Sequence, residues 1–237
     1  MSRARTSDRG VVRSTAPTWA AATYEGGPRV SAALDVGWRG RVGRRPGELR
    51  TFSKRGMSRA RRRGRDGKGG WRERRIVGSG WNVFTAIVGV GDFTGGGHPD
   101  VLARDSTGLL WLYPGDGKGG WLPRSNVGSG WNVMSLIIGA GDFDGDSHPD
   151  VLAREGSGLW LYPGSGTGGW LARVKVGTGW EGFSAVVGAG SMNGDRHPDL
   201  LARDAAGALI LYPGDGRGSW LVPSVIGSGW GSMTALF

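Results

Sequence analysis

The stretch Gly-Asp-Phe-Asp-Gly-Asp-Ser-His-Pro-Asp at residues 141–150 recurs in altered form on both sides of itself. Residues 91–100 read GDFTGGGHPD, and residues 190–199 read GSMNGDRHPD. The Gly-Trp pairs that follow each copy keep the same step of about 50 residues. A regular recurrence of this length predicts a tandem array of one small structural unit.

Three full units are present, and incomplete units flank them. The full units span 82–131, 132–180 and 181–230, with a partial unit at 66–81 and a stub at 231–237. Residues 66–237 are therefore predicted to form one repeat domain, after a leader at residues 1–65.

Each unit contains four short segments that are typical of β-strands, and none shows a helical period of 3.6 residues. Four antiparallel strands in a repeat of about 49–50 residues indicate an all-β fold, a β-propeller of four-stranded blades. Three units are fewer than the roughly four to eight blades of a closed propeller, so the ring is predicted to be incomplete as written. In the second unit the predicted strands are 133–139, 150–154, 158–162 and 170–176.

Charge is divided unevenly along the chain, although the formal net charge is +10. Residues 1–75 carry 21 basic and 6 acidic side chains, whereas residues 76–237 carry 9 and 14. Any nucleic-acid binding argued from charge therefore concerns the basic leader and not the repeats. The absence of cysteine excludes disulfides and thiol chemistry.

The arginine-rich leader at residues 1–65 contains no copy of the repeat. It is open to three interpretations: a disordered polycation, an extra domain with little apolar content, or a non-native segment translated from a shifted reading frame. Residues 71–77 and 233–237 are predicted to share one blade, as in propellers that close with strands from both chain ends. No secretory signal and no apolar run long enough to span a membrane is visible.

The acidic stretch at 141–150 has the ligand types that Ca²⁺ prefers, namely carboxylate and carbonyl oxygens. Asp142, Asp144 and Asp146 fall at alternating positions, His148 can offer its backbone carbonyl, and Asp150 follows at the ninth position. The alternative is a metal-free turn in which the aspartates cap backbone amides. We predict a calcium site at this loop.

The other two copies of the loop are less acidic. Asn193, Asp195 and Asp199 remain in the third unit, where Ser191 replaces the first aspartate, so weaker binding is expected there. The first copy has lost its middle pair of acidic residues and is expected to bind little. An EF-hand is excluded, because no glutamate stands at position 12 and no helices flank the loop.

Aromatic and amide side chains recur together at the start of the units. They either fill the seams between blades or form a platform for sugar rings, with the amides as hydrogen-bond partners. The histidines are expected to bond locally, and no set of catalytic residues is evident. The candidate carbohydrate-binding residues are Trp81, Asn82, Trp131, Asn132, Trp180 and Trp230.

The stretch GDFDGDSHPDVLAR resembles the FG-GAP or VCBS repeat of integrin-type β-propellers, and residues 169–180 resemble tachylectin-type propeller lectins. The resemblance implies a non-catalytic, calcium-binding, extracellular module whose partner is a glycan or another cell-surface ligand. The alternative is a structural or protein-interaction propeller that accompanies a secreted enzyme. Association into a homo-oligomer is one way in which the ring could be completed.

Overall fold

The computed structural model describes residues 59–62 and 75–236, and its architecture there is nearly all β. The β-propeller prediction is confirmed, since three antiparallel four-stranded sheets follow one another as blades. A two-stranded sheet, β1 (Arg59–Arg62) with β2 (Arg75–Ser79), precedes them. The first blade comprises β3 (Phe84–Gly91), β4 (Asp100–Asp105), β5 (Leu110–Tyr113) and β6 (Ser125–Gly128).

The second and third blades repeat the same strand order, each from an inner to an outer strand. A short 3-10 turn beginning at Trp81, Trp131 or Trp180 leads into each inner strand. The second blade comprises β7 (Met134–Gly141), β8 (Asp150–Glu155), β9 (Gly158–Tyr162) and β10 (Val174–Gly177). The third comprises β11 (Phe183–Gly190), β12 (Asp199–Asp204), β13 (Leu209–Tyr212) and β14 (Ser224–Gly227).

The outer strand is the element whose predicted bounds differ most from the structure, whereas those of the first two strands differ by one or two residues. The sequence pattern predicts extended backbone throughout residues 170–176, but β10 begins only at Val174. Trp170 makes an isolated bridge to Gly164, and the Leu171 N–H donates to the carbonyl of Pro163. The first half of the predicted strand therefore closes a turn, since its hydrogen bonds go to that turn and not to a neighbouring strand.

The strand β2 stands beside the first blade as the outer strand of a preceding blade would. The indole of Trp121 donates to the carbonyl of Val77, as Trp170 donates to Val127 across the next seam. Within the described residues β2 pairs with β1, and 233–236 form no strand, so the predicted blade shared by 71–77 and 233–237 is not seen there. Apart from β1, the interpretations of the leader fall outside the described residues.

Glycines allow the inner strands of neighbouring blades to approach closely. A Cβ on Gly139 would lie 2.1 Å from the carbonyl oxygen of Gly89, and one on Gly188 would lie 2.8 Å from the oxygen of Gly139. Any side chain at these positions would meet backbone, which cannot rotate away as a side chain could. Gly139 and Gly188 thus allow the spacing between the inner strands of the three blades.

Two of the three hydrophobic clusters in the described residues lie between two blades, and the third lies within the first blade. In one cluster, Leu102 and Leu110 of the first blade pack against Trp131, Met134 and Ile137 of the second. A second cluster joins the second and third blades in the same way. Burial of apolar surface therefore stabilises pairs of blades, as expected for a repeat array whose units cannot bury their faces alone.

An arginine in the second strand of each blade ties it to the next blade. Arg154 donates from Nη1 to the carbonyls of Trp180 and Phe183, at 2.9 and 3.1 Å, and from Nε to Ser135 Oγ at 2.8 Å. Arg104 and Arg203 make the equivalent bonds, and burial lowers the pKa of Arg104 and Arg154. These charged donors satisfy carbonyls at the turn where the next blade begins.

Replacing Gly139 with Ala should destabilise the protein by about 2–3 kcal/mol, because the added methyl overlaps backbone that must shift. Chemical denaturation of both proteins would measure the change. Gly182→Ala is the matched control, since a Cβ added there would meet no atom within 4 Å. Equal stability of the two variants would contradict a close approach of the inner strands.

Candidate functional site

Three loops at the same end of the blades connect each inner strand to its neighbour, and the middle one carries the acidic cluster. The side chains of Asp142, Asp144 and Asp146 each offer an oxygen, and these atoms lie within 4.8 Å of one another. The structure therefore brings together three of the five residues that the sequence predicted as calcium ligands in this loop. It is the one such group of metal-binding side chains in the described part of the chain.

The electrostatics of the cluster are unfavourable without a counter-charge. Burial raises the pKa of Asp144, and the neighbouring carboxylates of Asp146 and Asp142 raise it further. Oδ1 of Asp142 is buried and accepts no hydrogen bond in the described structure. The carboxylates repel one another, and one of their oxygens is buried without a hydrogen-bond donor. Ca²⁺ prefers sites of this kind, in which several oxygen atoms surround the ion.

Asp150 is not one of these three grouped carboxylates, and its side chain acts as a clamp that binds backbone N–H groups. It is fully buried; Oδ2 accepts the N–H groups of Phe143 and Asp144, at 2.8 and 3.2 Å. Its Oδ1 accepts the Gly164 N–H at 3.0 Å, which joins the loop to the turn after the third strand. Burial raises the pKa of Asp150 to about 7.

The exposed His148 contributes to the geometry of the loop through its backbone. Its N–H donates to Asp146 Oδ1 at 2.7 Å. Its imidazole lies over Gly166, where a Cβ would be only 2.3 Å from the ring. The sequence predicted local bonding by the imidazole, whereas the local hydrogen bond seen here comes from the backbone N–H, which helps to orient one carboxylate of the cluster.

The third loop satisfies its polar atoms internally. Asn193 Nδ2 donates to Asp195 Oδ2 at 2.7 Å, and the Arg196 N–H donates to Ser191 Oγ at 2.8 Å. A backbone hydrogen bond from His197 lowers the pKa of Asp195. Asp199 is a buried clamp like Asp150, accepting the N–H groups of Met192 and Gly214. An amide donor thus stands where the middle loop has a carboxylate.

The first loop keeps the clamp without the acidic cluster. Asp100 accepts the N–H groups of Thr94 and Gly115, at 2.8 and 2.9 Å. Asp92 Oδ2 accepts the Gly97 N–H at 2.8 Å, while its Oδ1 is buried and unpartnered in the described structure. The loop therefore adopts this fold without carboxylates at its middle positions. The sequence already held the signal for the clamp, because His-Pro-Asp recurs in every unit.

The recurring tryptophans pack in the seams and present little surface to a ligand. Trp81, Trp131 and Trp180 are 5%, 5% and 3% exposed, whereas Trp230 is 37% exposed. Trp131 lies 4.7 Å from the ring of Tyr162 and 5.6 Å from that of Trp170, measured between centroids. Their aromatic faces therefore contact other rings.

The two asparagines beside these tryptophans are exposed. Asn132 lies across the seam from the preceding blade, because a Cβ on Gly108 would be 2.6 Å from its Oδ1. The Trp131 N–H donates to the Gly108 carbonyl at 2.9 Å and fixes this crossing. The exposed end of the seam, which we call its mouth, therefore carries the amide of Asn132 at a fixed position between two blades.

Comparison with known proteins identifies the repeats. Residues 92–153 and 142–202 each match the FG-GAP-like repeat. Residues 92–202 are therefore similar to FG-GAP-like repeats, and they lie in the blades of a β-propeller. No curated protein matches the chain significantly.

One solved lectin structure shares the fold, and a second lectin gives a weaker match. One is an Agrocybe aegerita lectin, known for its specific recognition of non-reducing terminal N-acetylglucosamine, with a TM-score of 0.51 and 16% identity. The match covers 73% of this chain and 47% of that chain, so this chain spans about half the length of the lectin. The BP39L lectin of Burkholderia pseudomallei gives a TM-score of 0.43 at 17% identity, covering 68% of this chain and 46% of its own. At such identities the likeness concerns the fold alone.

Proposed function

We propose that this protein is a non-catalytic, extracellular propeller module that binds Ca²⁺ in its middle acidic loop and carbohydrate at its blade seams. The observation that carries the calcium proposal is the convergence of the side chains of Asp142, Asp144 and Asp146. None of the helices in the described ranges is long and apolar enough to cross a membrane.

The calcium site is proposed for the middle loop in preference to its two neighbours. The carboxylates there have unfavourable interactions that a divalent cation would reverse. In the third loop Asp195 is the one carboxylate at the corresponding positions, and the amide of Asn193 donates to it. The cation would stabilise the folded state by mass action, since the unfolded chain does not hold the three carboxylates together.

Replacing Asp144 with Ala should remove most of the stabilisation that Ca²⁺ confers. The melting temperature of the parent protein should rise when millimolar CaCl₂ replaces a chelator, and that of the variant should barely change. In chelator the variant should be as stable as the parent or slightly more stable, because one of three repelling carboxylates is gone. Differential scanning calorimetry in both buffers measures the four values.

Asp199→Ala is the control for this experiment. It removes a buried clamp from the third loop and leaves its backbone N–H groups unsatisfied, so it should cost about 2–3 kcal/mol with or without Ca²⁺. If the parent and Asp144→Ala gained equally from Ca²⁺, the ion would be bound elsewhere.

The carbohydrate proposal rests on the exposed amides at the seam mouths and not on the buried indoles. Asn82 and Asn132 are exposed, and each is followed by an exposed valine, Val83 and Val133, at 55% and 53%. An amide beside an apolar side chain suits a sugar, which presents hydroxyls and apolar faces. The lectin fold of the Agrocybe aegerita protein supports this proposal, and the sugar that this lectin recognises, terminal N-acetylglucosamine, is the first ligand to try.

A glycan array probed in CaCl₂ should show binding that Asn132→Ala weakens by about tenfold, as expected for the loss of one or two ligand hydrogen bonds. Asn126→Ala is the matched control, because Asn126 is an exposed asparagine on β6. A folded protein that bound no glycan would favour the alternative of a structural or protein-interaction propeller.

We also propose self-association through the third blade. The third blade exposes a set of apolar side chains. At each seam one side of a blade packs against the opposite side of the next blade, so a second copy of the chain could pack against the third blade in the same way. Light scattering should then give a multiple of 24.9 kDa, and Val225→Asp should return the mass to one chain. A single-chain mass at all concentrations would contradict association. The exposed residues are Val222, Val225, Ile226 and Met233, at 87%, 67%, 44% and 50%.

A further inference from the structure

The outer halves of the first two blades each hold an arginine stacked on a tryptophan. The guanidinium carbon of Arg124 lies 4.2 Å from the ring centroid of Trp111, and that of Arg173 lies 4.2 Å from the centroid of Trp160. Stacking keeps the planar guanidinium flat while its edges stay available for hydrogen bonds. Both arginines are exposed.

A tyrosine fixes each guanidinium in the plane of the stack. Nη1 of Arg124 donates to Tyr113 Oη at 2.8 Å, and Nη1 of Arg173 donates to Tyr162 Oη at 2.8 Å. Within residues 75–236 the Nε and Nη2 atoms of both arginines donate to no group. Each guanidinium therefore keeps its Nε and Nη2 donors in a fixed orientation. Because the side chain is already ordered, less conformational entropy is lost when an anion binds.

The charge around the two arginines differs. Arg173 pairs with Glu155 at 2.8 Å, where the two side chains are 41% and 37% exposed. In the first blade Asp105 instead accepts the indole N–H of Trp111 at 2.9 Å. Arg124 therefore has no carboxylate partner in the described part of the chain. In the second blade Lys175 adds a positive charge, with Nζ 5.9 Å from the centroid of Trp160.

The third blade shows that this arrangement is not required for folding. Ile210 occupies the position of the stacking tryptophan, and Pro223 occupies that of the arginine. The strands β13 and β14 nevertheless pair as β5 and β6 do. The arginine–tryptophan pairs are thus an addition to two adjacent blades of a domain whose residues 76–237 are net acidic.

We propose that Arg124 and Arg173 form two sites for the carboxylate or sulfate groups of an acidic polysaccharide. A planar pair of N–H donors matches a two-oxygen anion, and the half-buried tryptophan beside it can contact the sugar ring that carries the anion. The two sites on adjacent blades would engage different acidic units of one polymer, so binding would gain from avidity. The inference rests on the proposed carbohydrate binding for the class of ligand, but it uses other residues than the seam amides.

The test is binding of polygalacturonate and of chondroitin sulfate to the full chain in chelator, measured by isothermal titration calorimetry. The parent should bind at least one of the two polymers, and neutral dextran should not bind. A response to only one polymer identifies carboxylate or sulfate as the recognised group. The double variant Arg124→Gln and Arg173→Gln should bind at least tenfold more weakly, and so should the double variant with Lys at both positions, which keeps the charge but lacks the planar pair of donors.

Arg217→Gln is the matched control, because Arg217 is an exposed arginine on the third blade and its loss should leave binding unchanged. The proposal would be overturned if the double lysine variant bound the polymer as tightly as the parent, or if the parent bound single-stranded DNA equally well. Either result would mean that positive charge alone explains the binding. The absence of binding to both polymers by a folded parent would also overturn the proposal. Loss of binding on Asn132→Ala alone would instead place the ligand at the seam amides of the proposed function.

Discussion

A buried aspartate that binds backbone N–H groups from two loops is the interaction on which each blade depends. Asp100, Asp150 and Asp199 are each at most 1% exposed. One carboxylate oxygen holds the acidic loop, and the other holds the turn beyond the third strand. A carboxylate is suited to this place because it accepts several hydrogen bonds at once and leaves no buried donor unpaired. The shape of the acidic loop is therefore set by the clamp, and the metal cluster is an addition to it.

The loop held by the buried aspartate also contacts the next blade across the seam. The loop held by Asp150 reaches the next blade, where the Gly218 N–H donates to the Phe143 carbonyl and Phe143 packs 4.6 Å from the ring of Trp220. Arg154 crosses the seam from the same blade. Loop geometry and blade packing are thus coupled, so a cation bound beside Asp144 would act on the contact between two blades as well as on one loop.

Much of the fold follows from the sequence because repetition shows which residues each blade needs. The recurrence of GDF-type loops and of Gly-Trp pairs predicts the number of blades, and β9 has the bounds that the sequence predicts for it. The first half of the outer strand could not be predicted, since the alternation of apolar and polar residues in 170–176 does not show which neighbour their backbone will bond. The seam contact of Arg154 could not be predicted either, because the partner carbonyls lie on a separate blade.

The candidate sites divide in the same way. The sequence by itself determined the residue types of the loops. The middle loop has three alternating carboxylates followed by His-Pro-Asp, and the other two loops keep His-Pro-Asp but lack some of the carboxylates. Only the tertiary structure decided that Asp150 turns inward to the backbone while Asp142, Asp144 and Asp146 converge. Only the tertiary structure showed that the recurring tryptophans face other rings and that the exposed stacked arginines lie outside the seams. The physical reason is that spacing along a chain sets which residues are available, whereas burial and hydrogen-bond partners depend on distant segments, here 14 and 43 residues away.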